Sequence, residues 1–325
     1  MTWSRRRALR ALAASFAAIA APASSAGCRS EASDGRTEAS LWYSYGGKNR
    51  EVLLALVDQF HAEQSRFRIH PTYQGDYFEA LAKLRTAIAA RAAPTVTHVV
   101  GEVLPYLAEA NVLEPLDAFE GAGELDLVPE LAQARGFLGG DRRPLYALPF
   151  NRSTPIAYFN KAAFREIGLE PPRTWDELRA VARAATRRGS GDSVDRWGFE
   201  CPVDWWFWIA LVGQAGGQVV AEDGSPTLGG EAGVRALSLW QELVHREHTM
   251  KPPPGRDYNA WQAANTDFLA GRTVMIWTST AFLRYLEDNA KFEVGAAPLP
   301  RDVRASVPTE STLFEIGRAS YRERV

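Results

Sequence analysis

The chain of 325 residues has two cysteines and five histidines. Two cysteines cannot build a zinc framework. The histidines at 61, 70, 98, 245 and 248 are scattered, and only His245 and His248 stand three apart, a spacing that a solvated helix face also produces. There is no phosphate-binding loop with its lysine, no dinucleotide fingerprint after a strand and no G-x-S-x-G elbow. Acid pairs such as Glu200 with Asp204 occur, but any helix-rich chain supplies these by chance. Nothing here argues for catalysis, and no cofactor is expected.

Excess positive charge is also absent. The first 27 residues hold four Arg and no acid, so the remaining 33 basic and 39 acidic residues leave a net of −6. A mildly acidic body argues against a nucleic-acid partner. No apolar run outside the N-terminus is long enough to cross a bilayer.

What is present begins with residues 1–27. "MTWSRRRALR" followed by "ALAASFAAIAAPA" has the basic start and short apolar core of an export signal. Ser4 to Arg10 resemble a twin-arginine signal with Ala8 in place of the usual aromatic, and a general secretory signal fits as well. "SSAG" before Cys28 resembles a lipobox with Ser25 where Leu is usual. Lipid attachment at Cys28 and simple cleavage nearby are the two expectations. If Cys28 is lipidated, Cys201 has no partner and is a buried thiol. Residues 28–38 read as a polar tether. The protein is expected to work in the periplasm or on the outer face of the cytoplasmic membrane.

The last eleven residues, "EIGRASYRERV", resemble the translation of a sequencing adapter with one residue different. The expectation is that residues 315–325 are such an artefact and that natural sequence continues past Phe314.

Between these ends, apolar spacing alternates between periods of two and 3.6. Strands are expected over 39–45, 67–74 and 95–101, and helices over 50–64, 76–92 and 103–113. That order indicates an α/β fold with mainly parallel strands. Residues 144–164 read as two strands around a polar knot, Asn151 to Thr154, with Asn160 capping the next helix. Thr174 and Glu177 form a capping-box pattern. Later helices are expected over 231–247 and 258–272, and strands over 273–280 and 292–300.

"DWWFWIAL" (204–211) packs three tryptophans and a phenylalanine into eight positions. Taken singly, each ring fits a core. Together with Tyr43, Tyr77, Ser153, Thr154, Ser279 and Thr280 at element ends, the rings suggest a cleft, because α/β sheets bind ligands outside the carboxyl ends of their strands.

From about Leu41 to Phe314 the chain resembles the extracellular solute-binding proteins of ABC importers, of the large sugar-binding type. "PFNRSTPIAYFNKAAFREIGLEPPRTWDELRAVARAA" and "FLAGRTVMIWTST" carry the likeness. It implies a two-lobed fold with a hinged cleft: lobe 1 over 39–150, lobe 2 over 151–276 and a crossover over 277–314 returning to lobe 1. "YQGDY", "GEV", "PFNRSTP" and the pair Trp205 and Trp208 are similar to members that bind glycerol-3-phosphate and glycerophosphodiesters. That likeness implies ligand contacts from Tyr77, Glu102, Ser153 and Ser279, with Trp205 and Trp208 as a wall. Arg152 departs from the pattern, and a phosphate-binding cation beyond Phe314 cannot be read. The implied partners are a small polar ligand and an ABC permease, with the protein a monomer. The alternatives are a sugar or oligosaccharide ligand on the same fold, or an exported carbohydrate-active enzyme. The enzyme needs two facing carboxylates, for which Glu102 alone is insufficient.

Overall fold

The computed structural model describes residues 35–44, 46–119, 144–191, 193–221, 224–254, 258–308 and 310–317. The export signal, Cys28 and residues 318–325 lie outside the described residues.

The strands in chain order are β1 (Thr37–Tyr43), β2 (Phe67–Tyr73), β3 (Val96–Val100), β4 (Ala147–Ser153), β5 (Pro155–Asn160) and β6 (Arg187–Arg188). They continue with β7 (Val194–Glu200), β8 (Met250–Lys251), β9 (Thr273–Ser279), β10 (Val294–Ala297) and β11 (Glu310–Ile316). They form two sheets, ordered β2-β1-β3-β11-β4 and β10-β5-β9-β7-β6, with β8 beside β7.

In the first sheet β1 runs parallel to β2 and β3, while β11 runs antiparallel to β3 and β4. The second sheet is mixed. β7 is parallel to β8 and β9, whereas β5 is antiparallel to β9 and β10. The expected α/β class and its two lobes are present, with more antiparallel pairing than the sequence pattern suggests.

Local chemistry sets many of the helix starts. Asp76 accepts from the N–H groups of Phe78 and Glu79 at 2.8 and 2.9 Å and opens the helix Tyr77–Ala89. Asn160 caps Lys161–Ile167, which ends at Gly168 with φ of 67°. Thr174 and Glu177 close the expected capping box on Trp175–Ala185. That helix buries Trp175, Leu178, Val181, Ala182 and Ala185 against the second sheet. Its backbone meets β7 so closely that a Cβ on Gly198 would stand 1.9 Å from the Ala182 carbonyl oxygen.

Several boundaries differ from the sequence reading. The first two residues of β1 are the last two of the expected tether. Asn151, Arg152 and Ser153 are not a knot between strands but the end of β4, paired to β11, so the sheets divide at Thr154. Only one residue separates β4 from β5, and polar side chains are no obstacle to a strand with half-exposed positions. The expected crossover at 277–314 does not return directly. β9 reaches Ser279, the helix Leu283–Asn289 follows, and β10 pairs β5, all with the second sheet. Only β11 rejoins the first.

Gln214 fastens the returning segment. Its side-chain oxygen accepts from the Trp175 indole at 2.8 Å and its nitrogen donates to the Ser306 carbonyl at 3.0 Å.

The boundary after Phe314 falls inside β11, where Glu315 pairs with Thr97 and Ala147. Its carboxyl is fully buried and neither oxygen has a hydrogen-bond partner. It borders a largely apolar cavity of about 260 Å³ lined by Leu84, Ile88, Leu107, Val112 and Leu113. Burial pushes its pKa up to about 8.

Glu200, at the end of β7, is also buried, beside Lys251 on β8 and near Asp267. Asp267 pairs with Lys251 and with Arg272, whose Nε donates at 2.7 Å. Burial first, and then the charge of Asp267, raises Glu200 to about 8.

Two predictions follow from this packing. Gly198→Ala is expected to destabilise the chain by about 3 kcal/mol, because a backbone carbonyl cannot move aside as a side chain would. Urea unfolding measures it, and an unchanged midpoint would refute the close approach.

The second concerns pH. Glu200 and Glu315 hold their protons more tightly folded than unfolded, so each favours the fold below its unfolded pKa and loses that advantage as pH rises through about 8. Below about pH 6.5 the buried His98, lowered to about 3 by desolvation, acts in the opposite sense. Stability is therefore expected to fall between about pH 6.5 and 8, by up to about 1.4 kcal/mol per pH unit for each carboxyl. Glu315→Val should raise stability at pH 8 by about 1–3 kcal/mol and flatten this slope. A variant no more stable than the parent, with the same slope, would contradict both points.

Candidate functional site

Because β11 is antiparallel to its neighbours, β4 runs in the direction of β3. The carboxyl ends of β1, β2, β3 and β4 therefore share one edge of the first sheet. Tyr43, Tyr73, Val100 and Ser153 are the last residues of these strands. In the second sheet β7 and β9 run in the same direction, and β9 continues past the Glu200–Ile276 pair to end at Ser279. Ser279 pairs with Pro155, directly after the crossing. At the crossing, the Thr280 N–H donates to the Thr154 carbonyl at 3.0 Å and the Thr154 N–H to the Thr280 hydroxyl at 3.2 Å. The carboxyl ends of β4 and β9, one from each sheet, thus meet at Thr154, and ligands of α/β folds are held outside such strand ends.

Four of the six expected site residues stand at strand ends or just beyond them. Ser153 closes β4 and Ser279 closes β9, on either side of Thr154. Ser279 is buried, and its hydroxyl accepts from the Ala281 N–H at 3.1 Å, fixing the single turn Thr280–Phe282. Glu102 lies in the turn Gly101–Val103 that follows β3. It is an exposed residue, yet desolvation raises its carboxyl pKa, more than a hydrogen bond from its own backbone lowers it. Tyr77 begins the Asp76-capped helix that follows β2, with its ring 5.8 Å from the buried His98 ring.

Trp205 and Trp208 belong to the helix Trp205–Gln214, which starts five residues after Glu200, the last residue of β7. Asp204 caps it by accepting from the Trp206 N–H at 2.9 Å. Trp205 is 36% exposed, while Trp206 and Phe207 are buried in the core, so the dense aromatic run divides between surface and core. Trp208 is half-buried against Gly233 and the second core, and its indole nitrogen is buried without a hydrogen-bond partner. The two tryptophans share a helical side but not an exposure.

The sequence reading left out Trp261 and Phe282. Trp261 lies 5.6 Å from Trp206 and 5.0 Å from Phe207, and it stacks on Phe282 at 6.5 Å and 28°. Both rings are half-buried. Their spacing in sequence gave no sign of this, since they come together through the packing of the helix Tyr258–Leu269 on β9, which carries Phe282 just beyond its end. Among the described residues no cluster of His, Cys, Asp and Glu could hold a metal ion, and no helix is long and apolar enough to cross a membrane. Cys201 is buried, with its thiol pKa raised by burial.

Residues 47–308 match the family model described as bacterial extracellular solute-binding protein. The sn-glycerol-3-phosphate-binding periplasmic protein UgpB of Yersinia pseudotuberculosis is 26% identical over 296 residues, which is 87% of this chain and 65% of that protein. The corresponding Brucella abortus protein is 29% identical over 161 residues, covering 48% of this chain and 37% of its own length. The chain thus spans about two thirds or less of these relatives.

Two solved structures share the fold. The ABC substrate-binding protein Lmo0181 of Listeria monocytogenes, in complex with cycloalternan, superposes with a TM-score of 0.75 at 20% identity, covering 89% of this chain and 73% of its own. UgpB of Mycobacterium tuberculosis, in complex with glycerophosphocholine, gives 0.74 at 24%, covering 89% and 72%. With the family model spanning residues 47–308, most of its length, the chain belongs to the bacterial extracellular solute-binding proteins.

Proposed function

We propose that this chain is the extracytoplasmic capture component of an ABC importer and that it binds glycerol-3-phosphate or a glycerophosphodiester between its lobes. The observation that carries this reading is the convergence of strand carboxyl ends from both sheets at the Thr154–Thr280 crossing. A ligand placed there touches both lobes, so its binding energy favours the closed state, and a permease can recognise that state. Nothing in this role makes or breaks a bond.

The residues divide the work by chemistry. Ser153 and Ser279 offer hydroxyls from opposite sides of the crossing. Glu102 accepts hydrogen bonds from ligand hydroxyls. Tyr77 supplies a phenol at the first sheet's edge. Trp205 gives an exposed ring for the carbon skeleton, with Trp208 behind it. The glycerol phosphate ligand is favoured by the Yersinia and Brucella relatives and by the motifs around Tyr77, Glu102 and Ser153. The periplasm, or the outer face of the membrane with Cys28 lipidated, is the proposed location.

A second reading keeps the fold and the transport role but places a sugar or oligosaccharide in the cleft. The exposed Trp205 favours it, because sugar rings stack on such surfaces. The Listeria protein, solved with cycloalternan, shares the fold.

Titration of the chain with glycerol-3-phosphate, glycerophosphocholine and maltose, followed by tryptophan fluorescence, separates these readings. Saturable change with a glycerol phosphate and none with maltose is expected, and Trp205→Ala should weaken that binding about fivefold. A response to maltose alone would move the ligand to sugars.

A further inference from the structure

The cavity beside Glu315 lies away from the cleft. Pro94 and Thr97, at the amino end of β3, form part of its wall, with Leu84 and Ile88 from the late turns of the helix Tyr77–Ala89 and Leu107 from the helix Leu104–Glu109. Glu315 itself pairs with Thr97 and with Ala147, the first residue of β4. The cleft stands at the carboxyl ends of the same strands, so the two places occupy opposite ends of one sheet.

At about 260 Å³ the cavity has room for an aromatic ring, since apolar cavities of about 150 Å³ admit benzene. The carboxyl distinguishes it from a plain hydrocarbon pocket. Glu315 is fully buried, both its oxygens lack a hydrogen-bond partner, and it forms part of the wall. A buried acceptor left unmet is costly, and a guest that brings a donor removes that cost. No other wall residue carries a charge. An ammonium is the donor that suits this group best, because charge-assisted hydrogen bonds are roughly twice as strong as neutral ones.

We propose that this cavity is a second binding site, separate from the cleft, for a small apolar amine whose hydrocarbon lies against Leu84, Ile88 and Leu107 and whose ammonium pairs with Glu315. The preference for an amine belongs to the chain with Glu315 at this position; an apolar residue there would leave a site for hydrocarbon alone. Pairing requires the carboxylate. Without a guest, desolvation keeps the proton on Glu315 up to about pH 8. Below that pH each ammonium bound releases one proton from Glu315 to water. Affinity therefore rises with pH, by up to about tenfold per unit, and levels off once Glu315 is ionised without the guest.

Benzylamine, benzyl alcohol and toluene share a ring and differ in head group. Calorimetric titration of the chain with each, at pH 6.5 and 8.5, tests the site. At pH 8.5 benzylamine is expected to bind at least about tenfold tighter than toluene, with benzyl alcohol between them. At pH 6.5 benzylamine should lose about tenfold or more, while toluene loses nothing. Glu315→Gln keeps the shape and cannot ionise, so the amine advantage should fall below about twofold and its pH dependence should vanish. Glu315→Leu, which suits a buried strand position, should end the amine advantage as well and serves if the Gln variant does not fold. Ile88→Phe places a ring in the cavity and should abolish binding of all three.

Benzylamine no tighter than toluene at pH 8.5 would overturn the proposal. So would an unchanged amine advantage in both Glu315 variants. Benzylamine binding that survives Ile88→Phe would also overturn it, by placing the amine elsewhere on the acidic chain. None of these titrations uses a cleft ligand, so the transport reading stands or falls separately.

Discussion

The paired hydrogen bonds between Thr154 and Thr280 are the constraint on which the arrangement depends. Each backbone N–H there would otherwise lack a ladder partner, because the residues lie just outside β4, β5 and β9. By bonding to each other they hold the crossing at Thr154 beside the end of β9. That fixes where β5 starts relative to β9, and so where Ser279 stands relative to Ser153. The strand ends of two separate sheets then face one place, and the cleft is a consequence of a few polar contacts between threonines.

Polar groups have a second role as fasteners between apolar bodies. Gln214 joins Trp175 to Ser306. This buried side chain spends both ends of its hydrogen-bonding capacity on different elements, which fixes relative position more sharply than apolar contact does. Glu315 is the contrast. It sits in a central strand with nothing to bond, and its neighbours on β3 and β4 offer only packing.

Much of this was legible in the sequence where the signal is local. Asn160 and the Thr174–Glu177 box cap the helices that they were expected to cap, because capping needs only residues within one turn. Most helices and strands begin within three residues of their expected starts. The stretch 151–154 misled because its polarity resembles a loop, while pairing to β11 more than 150 residues later decides its state. Trp205 and its neighbours announced themselves by density. Trp261 and Phe282 did not, since no local pattern reports how the helix Tyr258–Leu269 will pack on β9. The helix Leu283–Asn289 was passed over, with few apolar positions to mark its buried face.

The Gln214 bond to Ser306 bears on how the lobes can move. The chain passes between the sheets at Thr154 and again between Ser306 and Glu310. The last passage is pinned at both ends, to the second lobe by Gln214 and to the first by the pairing of Glu310 with Ser153. Any rotation of one lobe against the other must be absorbed in a few backbone torsions on either side of those pins. The two passages act like two straps of one door, so the permitted swing is a single axis running past Ser153 rather than a free wobble.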